Sequence, residues 1–393
     1  QIQRGLTTSG TAIFLPFRSC EVFQPGGLYY GVNTQTKHII LADRKTLKCP
    51  NGIVLGTPGS GKSFFAKREM ANAFFATNDH ILILDPENEY TALTEQLHGQ
   101  TIYLAPDSHS YLNPMDLDLS TDVGESPMLM QADFLLSQCE LMMASYGNPL
   151  MPIEKSLIDR CISLVYRDYL KNPRPENMPV LGDLYQCLRE QHNSRADDLA
   201  TAMEIYVTGS LSYLNHRTNV DLNNRMVCYN TSKLGQGLKK LVMSNVQKHI
   251  WQRTAVNRYA GITTRIFLDE FHLLLKEPQT AAYTAEIYKR FRKWNGIPTS
   301  LTQNVKDLLD SSEIENILEN SDFVLMLNQG ASDRNILAQR LGISPQELSH
   351  VTNSSEGEGL LFFGDKIIPF EDKFPRDTQL YRVMTTKPSD LAA

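Results

Sequence analysis

The order of apolar and polar positions divides the chain into three textures. In the first, short apolar runs are bounded by Gly, Pro and Asn. Phe14–Phe17, Gly27–Asn33 and His38–Arg44 are β-rich, and the last two predict an antiparallel hairpin leading into the core. GIVLG (Gly52–Gly56) reads as a buried strand, followed by a Gly-rich turn and the helical stretch Ser63–Ala76. ILILD (Ile81–Asp85) and TIYLAP (Thr101–Pro106) continue the strand pattern.

The second texture runs from about Met115 to Arg225 and carries little strand signal. Pro152–Leu170 predicts a helix, with Pro152 suited to its first turn. Its face would hold Ile153, Leu157, Ile158, Cys161, Ile162, Leu164 and Val165. LGDLYQCLREQ and DDLATAMEIYV extend the helical reading, and Asn172–Pro175 breaks it. Strands then return at Met226–Asn230, Arg265–Glu270, Thr299–Asn304 and Asp322–Asn328, and Gly359–Phe370 reads as a final hairpin. Strands alternating with helices predict an α/β fold with a mostly parallel sheet flanked by helices. The expected organisation is a β-rich segment over 1–50, an α/β domain over 51–114 and 226–393, and an all-helical insertion over 115–225.

Composition narrows the classes. A length of 393 residues suits two or three domains, and 41% hydrophobic with 21% charged residues excludes global disorder. The net charge of -6 argues against a nucleic-acid coat, so any contact with DNA runs through a local patch or pore. The six cysteines form no C-x-x-C pair and read as reduced core residues of a cytosolic protein. No apolar run approaches a membrane span. The N-terminus has neither a signal-peptide stretch nor an initiator Met, which suggests a fragment. Nine histidines form no H-E-x-x-H, so no transition metal is expected. Met128, Met130, Met142 and Met143 are expected to pack in cores or interfaces.

Two motifs carry chemistry. GTPGSGKS matches G-x-x-x-x-G-K-[ST] over Gly56, Thr57, Pro58, Gly59, Ser60, Gly61, Lys62 and Ser63. Such a loop turns its backbone N–H groups around a phosphate, and glycines allow the positive φ and close approach this needs. The following helix adds its positive dipole end. Lys62 would reach the β- and γ-phosphates, Ser63 would take one Mg²⁺ position, and Phe64 completes the expected nucleotide-binding set. RIFLDE then sets two acids at the end of a strand, where open α/β sheets bind ligands. Asp269 is expected to hold Mg²⁺, and Glu270 to orient and deprotonate the attacking water. Gln303 ends another strand; its resemblance to the polar strand-end residue of P-loop motors implies contact with the γ-phosphate or that water, and the alternative is a plain polar strand end. Asp85, Glu87 and Glu89 follow a core strand; they would sit near the phosphates or cap the next helix, and Asp85 is placed in the binding set.

Together these motifs resemble the ATPases of conjugative type IV secretion systems, the VirB-four (TrbE, CagE, TraC-like) family. The carriers are GTPGSGKSF, LDPENEY, LNPMDL, IFLDEFHLLL, RKWNGIPTSLTQN and GEGLLFFGD, in family order from about residue 25 to 370. The helical insertion is similar in position and size. Family members usually carry a further N-terminal domain. The resemblance implies a RecA-like P-loop core of the HerA/FtsK branch that hydrolyses ATP with Mg²⁺ and forms hexamers. It implies work at the cytoplasmic side of the inner membrane, powering pilus assembly and substrate transfer beside the coupling ATPase and inner-membrane proteins. ATP over GTP rests on the resemblance and on the lack of an N-K-x-D guanine motif.

In such rings a neighbour donates an arginine to the site. Among Lys289, Arg290, Arg292 and Lys293, Arg292 is the first choice for this role, with Arg334 and Arg340 as rivals. The cluster also carries Trp294, and Lys239 and Lys240 follow a Gly-rich turn; either would suit single-stranded DNA or be surface charge. The rival functions are a DNA-pumping coupling-type translocase and a docking scaffold with a weak ATPase.

Overall fold

The computed structural model describes residues 20–119, 126–144, 150–275, 278–303, 317–387 and 390. The expected strand at Phe14–Phe17 and Asn304 lie outside them. Strands β1 (Leu28–Asn33), β2 (Ile39–Ala42), β3 (Gly52–Leu55), β4 (His80–Asp85), β5 (Gln100–Tyr103), β6 (Met226–Asn230), β7 (Thr264–Leu268), β8 (Gly296–Thr302), β9 (Phe323–Met326), β10 (Glu358–Phe363) and β11 (Lys366–Glu371) form one sheet. Its order is β2-β1-β11-β10-β9-β3-β8-β7-β4-β6-β5. From β9 to β5 all neighbours are parallel, and from β9 to β2 they are antiparallel.

Strand β3 lies inside the parallel part, between β8 and β9. Its residues are buried on both faces, which is why it reads as an unbroken apolar run rather than an alternating one. The pleat still sorts them: Ile53 and Leu55 join one core cluster and Val54 the other. The helix after it, α1 (Lys62–Ala76), packs Ala66, Met70 and Ala73 into the Val54 side. Helix α2 (Thr91–Gln96) follows β4 and shares that side.

The interval 115–225 is helical where it is described: α3 (Pro127–Ala144), α4 (Pro152–Val165), α5 (Arg167–Lys171), α6 (Leu181–Arg189) and α7 (Ser194–Val207), with 3-10 turns. The single helix expected over Pro152–Leu170 is interrupted at Tyr166. Ile153, expected on the buried face, is 51% exposed in the first turn. These helices do not close around a core of their own. Leu157, Ile162, Leu184 and Met203 belong to one continuous cluster with Ile53, Leu84 and Leu268 of the sheet. Helix α8 (Gln236–Tyr259) runs between the two, and Lys248 Nζ donates to the carbonyls of Pro114 at 2.9 Å and Asp116 at 2.6 Å.

The chain continues through α9 (Pro278–Phe291), α10 (Ala331–Leu341), α11 (Pro345–Leu348) and α12 (Gln379–Met384). The β1–β2 hairpin expected from the sequence forms, but it is no separate segment: β1 pairs with β11, setting Asn33 opposite Phe370. A buried ion network seals it to the core. Glu69 of α1 accepts from Arg44 at 3.0 Å, from Arg265 of β7 at 2.9 Å and from the Tyr30 hydroxyl at 3.0 Å. Arg265 also reaches Asp79 at 2.9 Å. All six cysteines are free, with Cys20 and Cys187 only partly buried. Of the methionines singled out above, Met142 and Met143 are buried, and Met128 and Met130 pack against the same core. Among the described residues no helix is long and apolar enough to cross a membrane.

Candidate nucleotide-hydrolysis site

The ends of β3, β7 and β8 converge on one cleft because all three run in the same direction. The Gly56–Ser63 loop leaves β3 with two positive-φ positions, Gly59 at 74° and Gly61 at 101°. Gly61 has a second constraint. A Cβ there would meet Glu356 Cγ and the Gly357 nitrogen at 3.3 Å each. It precedes the first turn of α1 in the left-handed region, which a side chain would strain. The loop is anchored from β9's side, where Thr57 N–H donates to the Asn328 carbonyl at 2.9 Å.

Lys62 folds back over the loop. Its ammonium donates to the Gly56 carbonyl at 2.8 Å and the Thr57 carbonyl at 3.2 Å, and burial lowers its pKa. Those carbonyls hold the cation where a phosphate would replace them. The cleft, about 560 Å³, is lined by Pro58, Gly59, Gly61, Lys62, Ser63 and Phe64 of the phosphate-binding loop and by Asp269, Glu270 and Gln303. The sequence-predicted loop, paired acids and strand-end glutamine thus meet in one place.

Asp269 is buried at the end of β7, and its carboxylate accepts from the Glu270 N–H at 2.9 Å. Burial, with Glu89 and Glu270 nearby, pushes its pKa up to about 7. A carboxylate crowded by other acids is suited to a divalent cation, which would relieve both the burial and the repulsion. Ser63, in the first turn of α1, lines the same cleft. These residues therefore fit Mg²⁺: Ser63 and Asp269 would hold it, and when bound it would neutralise phosphate charge.

Glu270 takes a left-handed conformation, φ 44° and ψ 47°. For a non-glycine residue this costs about 1–3 kcal/mol. The next residues form a 3-10 turn, Phe271–Leu274, whose Phe271 and Leu274 are buried and hold the backbone in place. The side chain is gripped from two directions. Gln303 Nε2 donates to Oε1 at 3.1 Å, and His272 Nδ1 lies 3.1 Å from Oε2, in contact but not in an aligned hydrogen bond. The His272 ring, with Lys62 and Gln303, holds the carboxylate below its usual pKa. Glu270 is therefore a carboxylate held in place at the cleft, with its charged form favoured by these neighbours.

The structure corrects two readings. Asp85 does not line the cleft. It is fully buried, and it accepts the backbone N–H groups of Glu87, Glu89 and Tyr90 at 3.3, 3.0 and 2.9 Å. It closes the turn that carries Glu87 and Glu89 into the lining instead. Trp294 is only 5% exposed, packed edge-on against Trp251 at 5.0 Å and beside Phe291, so it presents no face to a base. Lys239 lines the cleft, in the first turn of α8.

Arg292 is not brought to this cleft. It sits in a 3-10 turn before β8, at the opposite end of that strand from Gln303, exposed and donating to Cys49 Sγ at 3.3 Å. Arg334 lies on α10, which begins just beyond Asn328 and so nearer the loop. Sequence reasoning passed over His272, whose place two residues after Glu270 was its only signal. It also passed over Glu356, Thr385, Thr386 and Lys387, which line the cleft from segments remote in sequence. Lys387 is ion-paired to Glu356.

The fold recurs in solved structures. VirB4 of Thermoanaerobacter pseudethanolicus is 22% identical over 94% of this chain and 100% of that one, with a TM-score of 0.80. The bacterial conjugative coupling protein TrwB, lacking its first 70 residues and in complex with sulphate, gives 0.58 at 13% identity over 93% and 95% of the two chains. TrwB in complex with ADP and Mg²⁺ gives 0.59 at 13% identity over 93% and 96%. Comparison with curated protein sequences gives no match. These likenesses show the fold, the expected α/β architecture of a mostly parallel sheet flanked by helices. The TraG P-loop domain model matches residues 40–356, from the β2 strand through the cleft-lining Glu356, and the chain belongs to that family.

Proposed function

We propose that this protein is an ATP hydrolase that powers a type IV secretion system, converting ATP and water to ADP and phosphate with Mg²⁺. One observation carries the reading: Glu270, its carboxylate hydrogen-bonded by Gln303, flanked by His272 and held below its usual pKa, lies in the same cleft as Lys62 and Asp269. A site that only bound nucleotide would need the loop and the metal ligand. It would not need a strained, doubly held carboxylate beside them.

In this reading the loop N–H groups and Lys62 bind the phosphates. Ser63 and Asp269 hold the metal. Glu270 takes a proton from the attacking water, while Gln303 keeps the carboxylate aimed at it. The likeness to VirB4, with its high TM-score, supports the secretion assignment, including substrate transfer, pilus assembly and work beside the inner membrane. The working state is an oligomer, a hexamer by the family resemblance. Arg292, exposed and remote from its own cleft, is free to serve a neighbour's site, where a guanidinium would stabilise charge on the transferring phosphoryl group. Partners would include the coupling ATPase and inner-membrane components.

The test is steady-state turnover against protein concentration, with and without single-stranded DNA, beside Lys62→Ala as a blank. Turnover that climbs with concentration supports the shared site. Blank-level turnover at every concentration, with nucleotide still bound, would overturn the motor and favour the docking scaffold. A second reading, a DNA-pumping coupling-type translocase, draws on the likeness to TrwB; strong stimulation by DNA would favour it.

A further inference from the structure

Along the sheet from β3, whose end carries the phosphate-binding loop, come β8, β7, β4 and β6. Their ends bring Gln303, then Asp269 and Glu270, then Glu87 and Glu89, and finally the first turn of α8 with Lys239. All of these line one cleft. By strand order Lys239 enters it from beyond the acids, on the side away from the loop. Among the described residues three lysines line the cleft. Lys62 rests on two loop carbonyls, and Lys387 is ion-paired to Glu356. Lys239 makes no hydrogen bond or ion pair among the described residues.

The position is an unfavourable one for a lysine. A helix N-terminus carries partial positive charge, so a cation in the first turn is disfavoured unless an anion answers it. The first turn of α8 holds no acid, and Gly235 gives it no side-chain cap. The backbone there is nevertheless fixed. Leu238 and Leu241 are buried, and one turn on Asn245 donates to the Leu112 carbonyl at 2.9 Å. The ammonium is therefore offered to the cleft from a rigid support. Its surroundings there are acidic, and Glu89 Oε2 is buried without a hydrogen-bond partner. A nucleoside triphosphate carries one more negative charge than a diphosphate, on the phosphate that must approach Glu270. A free cation on that side offsets the repulsion.

We propose that Lys239 contacts the terminal phosphate of the bound nucleoside triphosphate, so that the cleft holds a triphosphate more tightly than a diphosphate. The inference rests on the nucleotide reading above. It adds a cation from the same chain to the arginine proposed to come from a neighbour. It also gives to nucleotide a residue for which the sequence suggested DNA or plain surface charge. Lys240, the next residue, lies outside the lining and serves as its control.

The experiment is calorimetric titration of the wild-type protein, Lys239→Ala, Lys239→Arg and Lys240→Ala with Mg–ADP and with the non-hydrolysable triphosphate Mg–AMP-PNP, each variant first checked by thermal melting. Expected for Lys239→Ala is a loss of roughly ten- to a hundredfold in AMP-PNP affinity, from one charge-assisted contact. ADP affinity should be unchanged, Lys239→Arg should recover most of the loss, and Lys240→Ala should match the wild type. Unchanged AMP-PNP affinity in Lys239→Ala would overturn the contact while leaving the phosphate site standing. Equal losses for ADP and AMP-PNP would overturn it in favour of a general charge effect. Single-stranded DNA is titrated in parallel; weaker DNA binding by Lys239→Ala with both nucleotides unaffected would assign the lysine to DNA instead. Failure of the wild-type protein to bind either nucleotide would refute the nucleotide reading itself.

Discussion

Gln303 Nε2 and Glu270 Oε1 lie 3.1 Å apart, joining the ends of two adjacent parallel strands. The proposed base is thus held by a neighbouring strand that is itself buried along its length. Glu270→Gln should keep nucleotide binding and lower turnover roughly 10²–10⁴-fold, measured by phosphate release under saturating ATP. Gln303→Ala should cost less, on the order of tenfold, because His272 still holds the other oxygen. Undiminished turnover in Glu270→Gln would remove it from the mechanism.

Asp269 sets a pH dependence. Its folded pKa stands at about 7, against an ordinary carboxylate value of 3.8. Between those values the folded chain holds a proton that the unfolded chain releases, so this group's contribution to stability falls as pH rises from about 4 through 7. Mg²⁺ requires the deprotonated form, so its binding should strengthen over the same range. The upward shift in Tm caused by Mg–ADP should be larger at pH 8 than at pH 6, and Asp269→Asn should abolish the difference. Equal shifts at both pH values would contradict the assignment of Asp269 as a ligand.

The buried network around Glu69 predicts a stability hierarchy. Glu69→Ala leaves Arg44 and Arg265 charged and buried, which should cost about 3–5 kcal/mol in urea unfolding. Lys45→Ala removes a partly exposed partner of Asp79, which keeps Arg265, and should cost about 1 kcal/mol or less. Similar losses in both would mean that the network is hydrated.

Arg292→Ala should lower turnover of the concentrated oligomer by about 10³-fold or more while leaving ADP affinity unchanged. Arg334→Ala is the matched comparison, since Arg334 stands at the loop end of the molecule. Wild-type turnover in Arg292→Ala with a large loss in Arg334→Ala would transfer the role.

What the sequence made legible was local. The glycines of the loop, the two acids after IFL and the alternation of strands with helices each depend on neighbours a few residues away. The cleft itself was legible because parallel strands must deliver their ends to one edge. Asp85 was misread because its fate depends on whether the turn after β4 needs a carboxylate to collect three N–H groups, which the pattern DPENEY does not reveal. Trp294 was misread because nearby basic residues suggested a surface, whereas α8 supplies Trp251 against it. Glu356 and Lys387 carried no motif; they reach the cleft from segments on either side of the β10–β11 pair.

The strand order has a consequence for how the protein is made. Strand β3 is synthesised early, but its two neighbours, β8 and β9, come more than two hundred residues later, and β1 waits for β11. At ordinary translation speeds the apolar Ile53-Val54-Leu55 strand stands unpaired for on the order of tens of seconds. Such an edge invites pairing with other chains. A nascent chain stopped before β9 would therefore present this strand to chaperones, and the loop after β3, anchored on Asn328 just past β9, would settle only once that distant segment is made.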